Sequence, residues 1–143
     1  MIATASVATK RRFILTEGER FDAYNMADYI IQLLGGVDKF LSALIVFMVI
    51  NYIAEMLLVI VGDEKRSNVF LLKNMFKKAA IFILVIVSNI VGTIIESRYA
   101  IRTTVILFYI SNEGLAILKN INRLGVPLPQ ILVKMLNQIG DGE

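Results

Sequence analysis

FLSALIVFMVINYIAEMLLVIVG, residues 40–62, decides the fold. Fourteen of its 23 residues are Leu, Ile, Val or Phe, and a helix of about 20 apolar residues crosses the roughly 30 Å hydrocarbon core of a bilayer. At about −0.3 to −0.6 kcal/mol each, these side chains outweigh the roughly +2.5 to +3.5 kcal/mol expected for Glu55 near the middle. The block is expected to insert despite its carboxylate. Two further blocks follow: AAIFILVIVSNIVGTII, residues 79–95, and YAIRTTVILFYISNEGLAIL, residues 99–118. The second is apolar without a break from Ala79 to Val87 and is entered through Lys77 and Lys78, whose long stems reach the interface. The third carries Arg102 and Glu113 and therefore depends on partners or water, so a re-entrant hairpin is its competing reading.

The composition agrees. Of 143 residues 57% are hydrophobic and 19% charged, more apolar surface than a soluble domain of this size hides. There is no Cys and no His, which removes disulfides, thiolate metal sites and the commonest acid-base group. No Gly-rich phosphate loop or metal-ligand spacing occurs, and Glu55, Glu96 and Glu113 have no accompanying substrate pocket. No catalytic residue, cofactor or metal is expected, and an intramembrane enzyme is the weakest reading. The net charge of +3 is spread between apolar blocks, which argues for membrane topology and against nucleic acid. Residues 1–10 lack the charged-then-apolar order of a secretory signal, so the N-terminus is expected to be retained.

Glu96, Ser97 and Arg98 leave room only for a tight turn, which makes the last two spans an antiparallel hairpin. Residues 63–78 form a longer connection with five basic residues, Lys65, Arg66, Lys73, Lys77 and Lys78, and Lys119, Arg123 and Lys134 follow the third span. These eight stand against Lys39, Arg98 and Arg102 on the opposite side. The excess predicts the N-terminus outside and the C-terminus in the cytoplasm, although the distant Lys10, Arg11, Arg12 and Arg20 pull the other way.

Two flanking segments read as interfacial. Thr16 and Glu19 fit a capping box, after which Phe21, Tyr24, Ala27, Ile31 and Leu34 recur at helical spacing until Gly35 and Gly36. Beyond Pro127 and Pro129, Ile131, Leu132, Met135, Leu136 and Ile139 make a second apolar stripe. Both suit a helix lying on the membrane surface, or equally one packing on protein. The expected architecture is an all-α integral membrane protein with three spans: residues 1–36 as tail and amphipathic helix, 37–122 as transmembrane region, and 123–143 as C-terminal amphipathic helix and tail.

Each span carries one polar stripe. Asn51 and Glu55 are four apart in the first; Asn89, Gly92, Thr93 and Glu96 share a face of the second, where Ser88 and Gly92 form a small-xxx-small pair. Arg102, Tyr109, Glu113 and Asn120 return to nearly one azimuth in the third. Such stripes turn away from acyl chains. Arg102 and Glu113 stand about 16 Å apart along one axis, too far to pair within a subunit, so their partners come from other spans, other subunits or water. For Asn51, Ser88 and Thr93 static packing is the favoured role. Ionisable groups such as Glu55, Arg102 and Glu113 more often belong to a pathway or a change of state. Asn51, Glu55, Ser88, Asn89, Gly92, Arg102, Tyr109 and Glu113 are accordingly the candidate pore or oligomer-interface residues, and Lys65, Arg66, Lys73, Lys77 and Lys78 the topology determinants.

Residues 107–129, LFYISNEGLAILKNINRLGVPLP, resemble the phage holin family 4, the toxin-secretion and phage-lysis holins of low-GC Gram-positive bacteria and their phages. The shared pattern is an aromatic pair, a Ser-Asn-Glu-Gly-Leu run, a following Asn and a Leu-Gly-Val-Pro-x-Pro ending. Arg102-Thr103, Gly36-x-Asp38-Lys39 with Ala43 and Leu44, and Phe76-Lys77-Lys78 fit as well, so about 100 residues are covered. The chain departs from the pattern in having Asn51-Tyr52 where an acidic residue usually precedes Tyr, Glu55 at a usually small place, Gly92-Thr93 where the second span usually has an Asp, and Lys119 where an acid is common. The resemblance implies a multi-pass protein of the bacterial host's cytoplasmic membrane that forms homo-oligomeric lesions in the lipid bilayer, with an endolysin or a large toxin as its functional partner. A non-lytic export pore for a toxin is the alternative within transport. A structural or regulatory subunit of a larger membrane assembly is the alternative from another class.

Overall fold

The computed structural model describes residues 4–6, 22–63 and 66–140, in two compact units, Met1–Gly36 and Val37–Glu143. In the first, residues 22–33 form helix α1. The Leu34 amide donates to the Ile30 carbonyl and the Gly36 amide to that of Ile31, both at 2.9 Å. Gly35 and Gly36 stand at φ 84° and 87°, a left-handed pair that ends the helix because neither has a Cβ to clash. Tyr24, Met26 and Tyr29 are exposed on α1. The capping box expected at Thr16 and Glu19, and Phe21 with it, lie outside the described residues.

The second unit contains α2 (Lys39–Val61), α3 (Asn68–Ile94), α4 (Arg98–Arg123) and α5 (Gln130–Gly140). Asp38 starts α2, its Oδ1 accepting from the Leu41 amide at 2.8 Å, which satisfies one orphan donor of the first turn. Gly62 ends it in the left-handed region at φ 86°, where the Asp63 amide reaches back to the Leu58 carbonyl. Ser67 caps α3 by accepting from the Phe70 amide at 3.2 Å. Residues 95–97 join α3 to α4, with Glu96 at φ 56° and the Ser97 amide donating to the Gly92 carbonyl at 2.9 Å.

Helix α4 is the centre of the unit. It packs against α2 and α3 along most of its length, whereas those two helices touch each other far less. Leu41, Leu44 and Leu58 of α2, Val85 of α3 and Ile106 of α4 are essentially inaccessible in the seams. The outer surface is also apolar: Ile60 and Ile94 keep about three-quarters of their surface, 75% and 73%. An apolar jacket over an apolar core is stable only where the solvent is hydrocarbon. Lys39–Val61, Asn68–Ile94 and Tyr99–Arg123 are each long and apolar enough to cross a membrane.

Two boundaries differ from the sequence reading. Residues 63–78 were expected to be a connection, but α3 already begins at Asn68, so Lys73, Lys77 and Lys78 are helical. The apolar residues of NVFLLKNMFKK continue the helical pattern behind the Ser67 cap, and a hydropathy window cannot see a helix before its charges cease. Helix α4 likewise runs past Leu118 to Arg123, since nothing in KNINR breaks a helix until Gly125 adopts φ 87°. After Pro127 and Pro129, α5 opens with the Leu132 amide bonded to the Pro129 carbonyl at 2.9 Å.

Candidate functional site

Polar side chains of the three long helices meet inside one chain. In the half of the bundle where α2 finishes and α3 begins, Glu113 of α4 projects inward, and its Oε2 accepts from Asn51 Nδ2 of α2 at 3.0 Å and from Lys78 Nζ of α3 at 2.9 Å. Asn51 Oδ1 in turn accepts from Asn120 Nδ2 at 2.7 Å, and Asn120 Oδ1 from Arg66 Nη2 at 3.0 Å. The result is a chain of polar groups, Lys78–Glu113–Asn51–Asn120–Arg66, that ties all three helices together. Asn51, Glu113 and Asn120 are 3%, 5% and 2% exposed. A charge so deep is tolerable because each lone pair used is matched by a donor; removing one member strands the next.

Glu55, one turn from Asn51, accepts from Asn74 Nδ2 at 2.8 Å through Oε1. Its Oε2 is buried with no hydrogen-bond partner among the described residues. These groups line a cavity of about 240 Å³ that also takes in Arg66, Lys77 and Lys119. Arg66 lies over the Phe70 ring at 4.1 Å, which orients its fork. Burial and then the charge of Arg123 push its guanidinium down from the usual value, while Glu55 and Asp63 pull it back up. Arg123 itself holds Asp63 through two donors, Nε at 2.9 Å to Oδ2 and Nη2 at 2.7 Å to Oδ1, which closes this end of the bundle.

Arg102 belongs to the opposite end. Its Nη1 donates to Asp38 Oδ2 at 2.7 Å, so the carboxylate that caps α2 also anchors α4. Burial pushes the Asp38 carboxyl up, but the hydrogen bonds from Arg102 and the Leu41 amide, with the guanidinium charge, outweigh it and hold the group below its ordinary range.

The structure thus separates the candidate residues into three places. Asn51, Glu55 and Glu113 share the cavity, and Arg102 is at the far end. Ser88, Asn89 and Gly92 are buried along α3, with the Ser88 hydroxyl donating to the Val85 carbonyl at 2.7 Å. Tyr109 is half-buried and meets the Phe108 ring edge-on at 5.2 Å. Thr93 is exposed, its hydroxyl donating to the Asn89 carbonyl, and Glu96 lies in the turn beyond α3 and so off the face first assigned to it. Of the basic residues read as topology determinants, Arg66, Lys77 and Lys78 line the cavity, Lys73 is exposed outside it, and Lys65 lies outside the described residues.

Sequence reasoning did not single out Asp38 or Asn74 as partners, and it took Lys78 for an interfacial anchor. A signal for Lys78 was present: it and Glu113 stand eighteen and seventeen residues from Glu96, which puts them at one depth if the chain reverses there. Asp38 and Asn74 had none, because each pairs across helices whose register no tight turn fixes.

Three apolar spans around a buried ionic chain define a multi-pass protein of the membrane, and comparison with known sequences makes the class specific. Residues 28–141 match the model of the Bacteriophage holin family; the chain belongs to that family and is a multi-pass protein of the cytoplasmic membrane. Its relatives include a probable holin of Bacillus phage phi105, 31% identical over 104 residues that cover 73% of this chain and 76% of the relative. An uncharacterized protein of Listeria monocytogenes is 34% identical over 73% of this chain and 74% of its own. One of Clostridium perfringens is 31% identical over 75% and 79%. No solved structure matches the chain. Family membership points to a non-enzymatic membrane protein.

Proposed function

We propose that the chain is a holin that assembles into homo-oligomeric lesions in the cytoplasmic membrane, through which an endolysin reaches the cell wall and lyses the host. The observation that carries this reading is the chain Lys78–Glu113–Asn51–Asn120–Arg66, buried inside spans whose outer faces are apolar. A purely static bundle in lipid is held by small-residue packing and has no need of ionised groups at this depth. In the packed protomer the polar groups satisfy one another apart from Glu55 Oε2 and Arg66 Nε. When helices shift and many copies meet, the same groups would turn to water and line a wet rim, so the cost of the lumen falls.

In this reading α3 and α4 cross as a tight hairpin, α1 and α5 are each amphipathic helices of the membrane interface, and the N-terminus is outside. Asn51, Glu55, Ser88, Asn89, Gly92, Arg102, Tyr109 and Glu113 supply the subunit contacts and the lumen face of the assembled state.

The test is inducible expression in bacteria with and without a co-expressed endolysin. Growth should arrest with the chain alone, and culture density should collapse when both are present. Continued growth in both cultures at confirmed membrane levels overturns the proposal.

A further inference from the structure

The cavity is more basic than its internal pairs require. Four cations, Arg66, Lys77, Lys78 and Lys119, and two carboxylates, Glu55 and Glu113, line it. Lys78 is matched by Glu113, but Lys77 and Lys119 are exposed at the mouth with no ion pair among the described residues. Deeper inside, two groups lack partners: Glu55 Oε2, on a residue only 3% exposed, is an acceptor, and Arg66 Nε is a donor. The site therefore offers a net positive rim, one buried donor and one buried acceptor.

Next to it along the same helix pair is an apolar groove of about 460 Å³ between α3 and α4, lined among others by Leu84, Val87, Val91, Val105 and Phe108. The cavity takes residues 74–81 of α3 and 112–120 of α4, and the groove 84–91 and 101–109. They are consecutive stretches of one seam. From Ile81 to Val91 is about 15 Å along the axis, the depth of one leaflet of a roughly 30 Å hydrocarbon core.

We propose that this seam binds one anionic phospholipid of the phosphatidylglycerol kind. The phosphate lies between Lys77 and Lys119 within reach of Arg66 Nε, a headgroup hydroxyl donates to Glu55 Oε2, and one acyl chain follows the α3–α4 groove. The chemistry selects this headgroup on two counts. A net charge of −1 answers the net positive cavity better than a zwitterion does, and a polyol supplies the donor that a buried carboxylate oxygen needs. Phosphatidic acid has the charge but no headgroup alcohol beyond the phosphate to reach Glu55, and phosphatidylethanolamine has a donor without the net charge. This site concerns the packed protomer and does not depend on lesion formation: a lytic protein without lipid preference leaves the holin reading intact.

The test is native mass spectrometry of the full chain in non-ionic detergent, titrated with dioleoyl phosphatidylglycerol, phosphatidic acid, phosphatidylethanolamine and phosphatidylcholine. The expected order is phosphatidylglycerol first, phosphatidic acid second, the two zwitterions last. Lys77 and Lys119 are exposed, so replacing both by Ala leaves the fold intact and should weaken phosphatidylglycerol about 30-fold. Glu55→Leu removes the acceptor and one negative charge, so it should abolish the preference for phosphatidylglycerol over phosphatidic acid without weakening phosphatidic acid, a pattern that general unfolding does not give. Equal retention of phosphatidylglycerol and phosphatidylcholine, or of phosphatidylglycerol and phosphatidylethanolamine, overturns the proposal. So does indifference to the lysine substitutions, or displacement of the lipid by soluble glycerol phosphate at the lipid's own concentration.

Discussion

Lys78 of α3 and Glu113 of α4 meet at 2.9 Å inside the helix bundle, with side chains 15% and 6% exposed. The pair joins two sequence blocks that each resemble the holin pattern, Phe76-Lys77-Lys78 and the Ser-Asn-Glu-Gly-Leu run. Asp38 and Arg102, from two other such blocks, meet in the same way at the opposite end. The resemblance, spread over about 100 residues of sequence, thus condenses into two contacts that fix α4 between its neighbours.

Removing one partner of such a buried pair costs about 3 to 5 kcal/mol, because the other is left charged and unmatched, whereas replacing both by apolar residues is often neutral or stabilising. Glu113→Leu is therefore expected to insert but to lower the thermal stability of the protomer in detergent, and Lys78→Met with Glu113→Leu to recover it. If Glu113 also lines the open lesion, the double variant should remain defective in permeabilising cells. Glu113→Gln separates shape from charge: it keeps an acceptor for Asn51 but loses the ion pair with Lys78. Normal permeabilisation by the recovered double variant at equal membrane levels would show that the pair is only packing.

Orientation follows from the eight-to-three distribution of basic residues. Reporter tags at Ser67 and at the C-terminus should both read as cytoplasmic and a tag near Ala3 as external. An external Ser67 tag reverses the topology. It would also mean that Arg66 and Lys78 sit at the cavity for their contacts and have no part in setting the inside of the membrane.

The spans were legible because a lipid solvent demands long apolar runs, which leave a plain mark in composition. The stripes were legible in part: Asn51, Glu55, Glu113 and Asn120 share one cavity between α2 and α4, whereas Thr93 and Glu96 leave the face assigned to them on α3. Their partners were harder to see. A donor such as Asn74 or Lys78 sits on a helical extension that a hydropathy window discards, and the Asp38 carboxylate reads only as a cap until the third helix is placed beside it. Pairing between distant helices depends on rotation and register, and a single sequence constrains those only where a tight turn counts residues outward on both sides.

Glu96 is the described residue other than glycine with a positive φ, 56°, and it occupies the place after α3 where glycine is usual. A Cβ in the left-handed region costs about 1 kcal/mol. Glu96→Gly should raise the melting temperature of the detergent-solubilised protein by a few degrees with insertion unchanged. A lower melting temperature would show that the Glu96 side chain makes up for its backbone strain.

Asp38 gives a pH dependence whose sign is fixed by its surroundings. Its carboxyl titrates lower in the folded chain than its ordinary value of 3.8, because the Arg102 and Leu41 bonds outweigh burial. A group depressed on folding contributes stability that is fully present above the unfolded value and is lost as pH falls through the folded one. The contribution is therefore intact at neutral pH and fades below about 3.8. Other carboxylates also protonate in that range, so the measurement must be a difference. Asp38→Asn keeps an oxygen to accept from the Leu41 amide but cannot carry the charge that Arg102 answers. At pH 7 the variant should melt below the parent. At pH 3 the two should melt closer together, because the unfolded parent is then largely protonated and part of the contribution of the charge is lost. A gap that stays constant between pH 7 and pH 3 would mean that Arg102 holds Asp38 by its hydrogen bond alone, with no contribution from the charge.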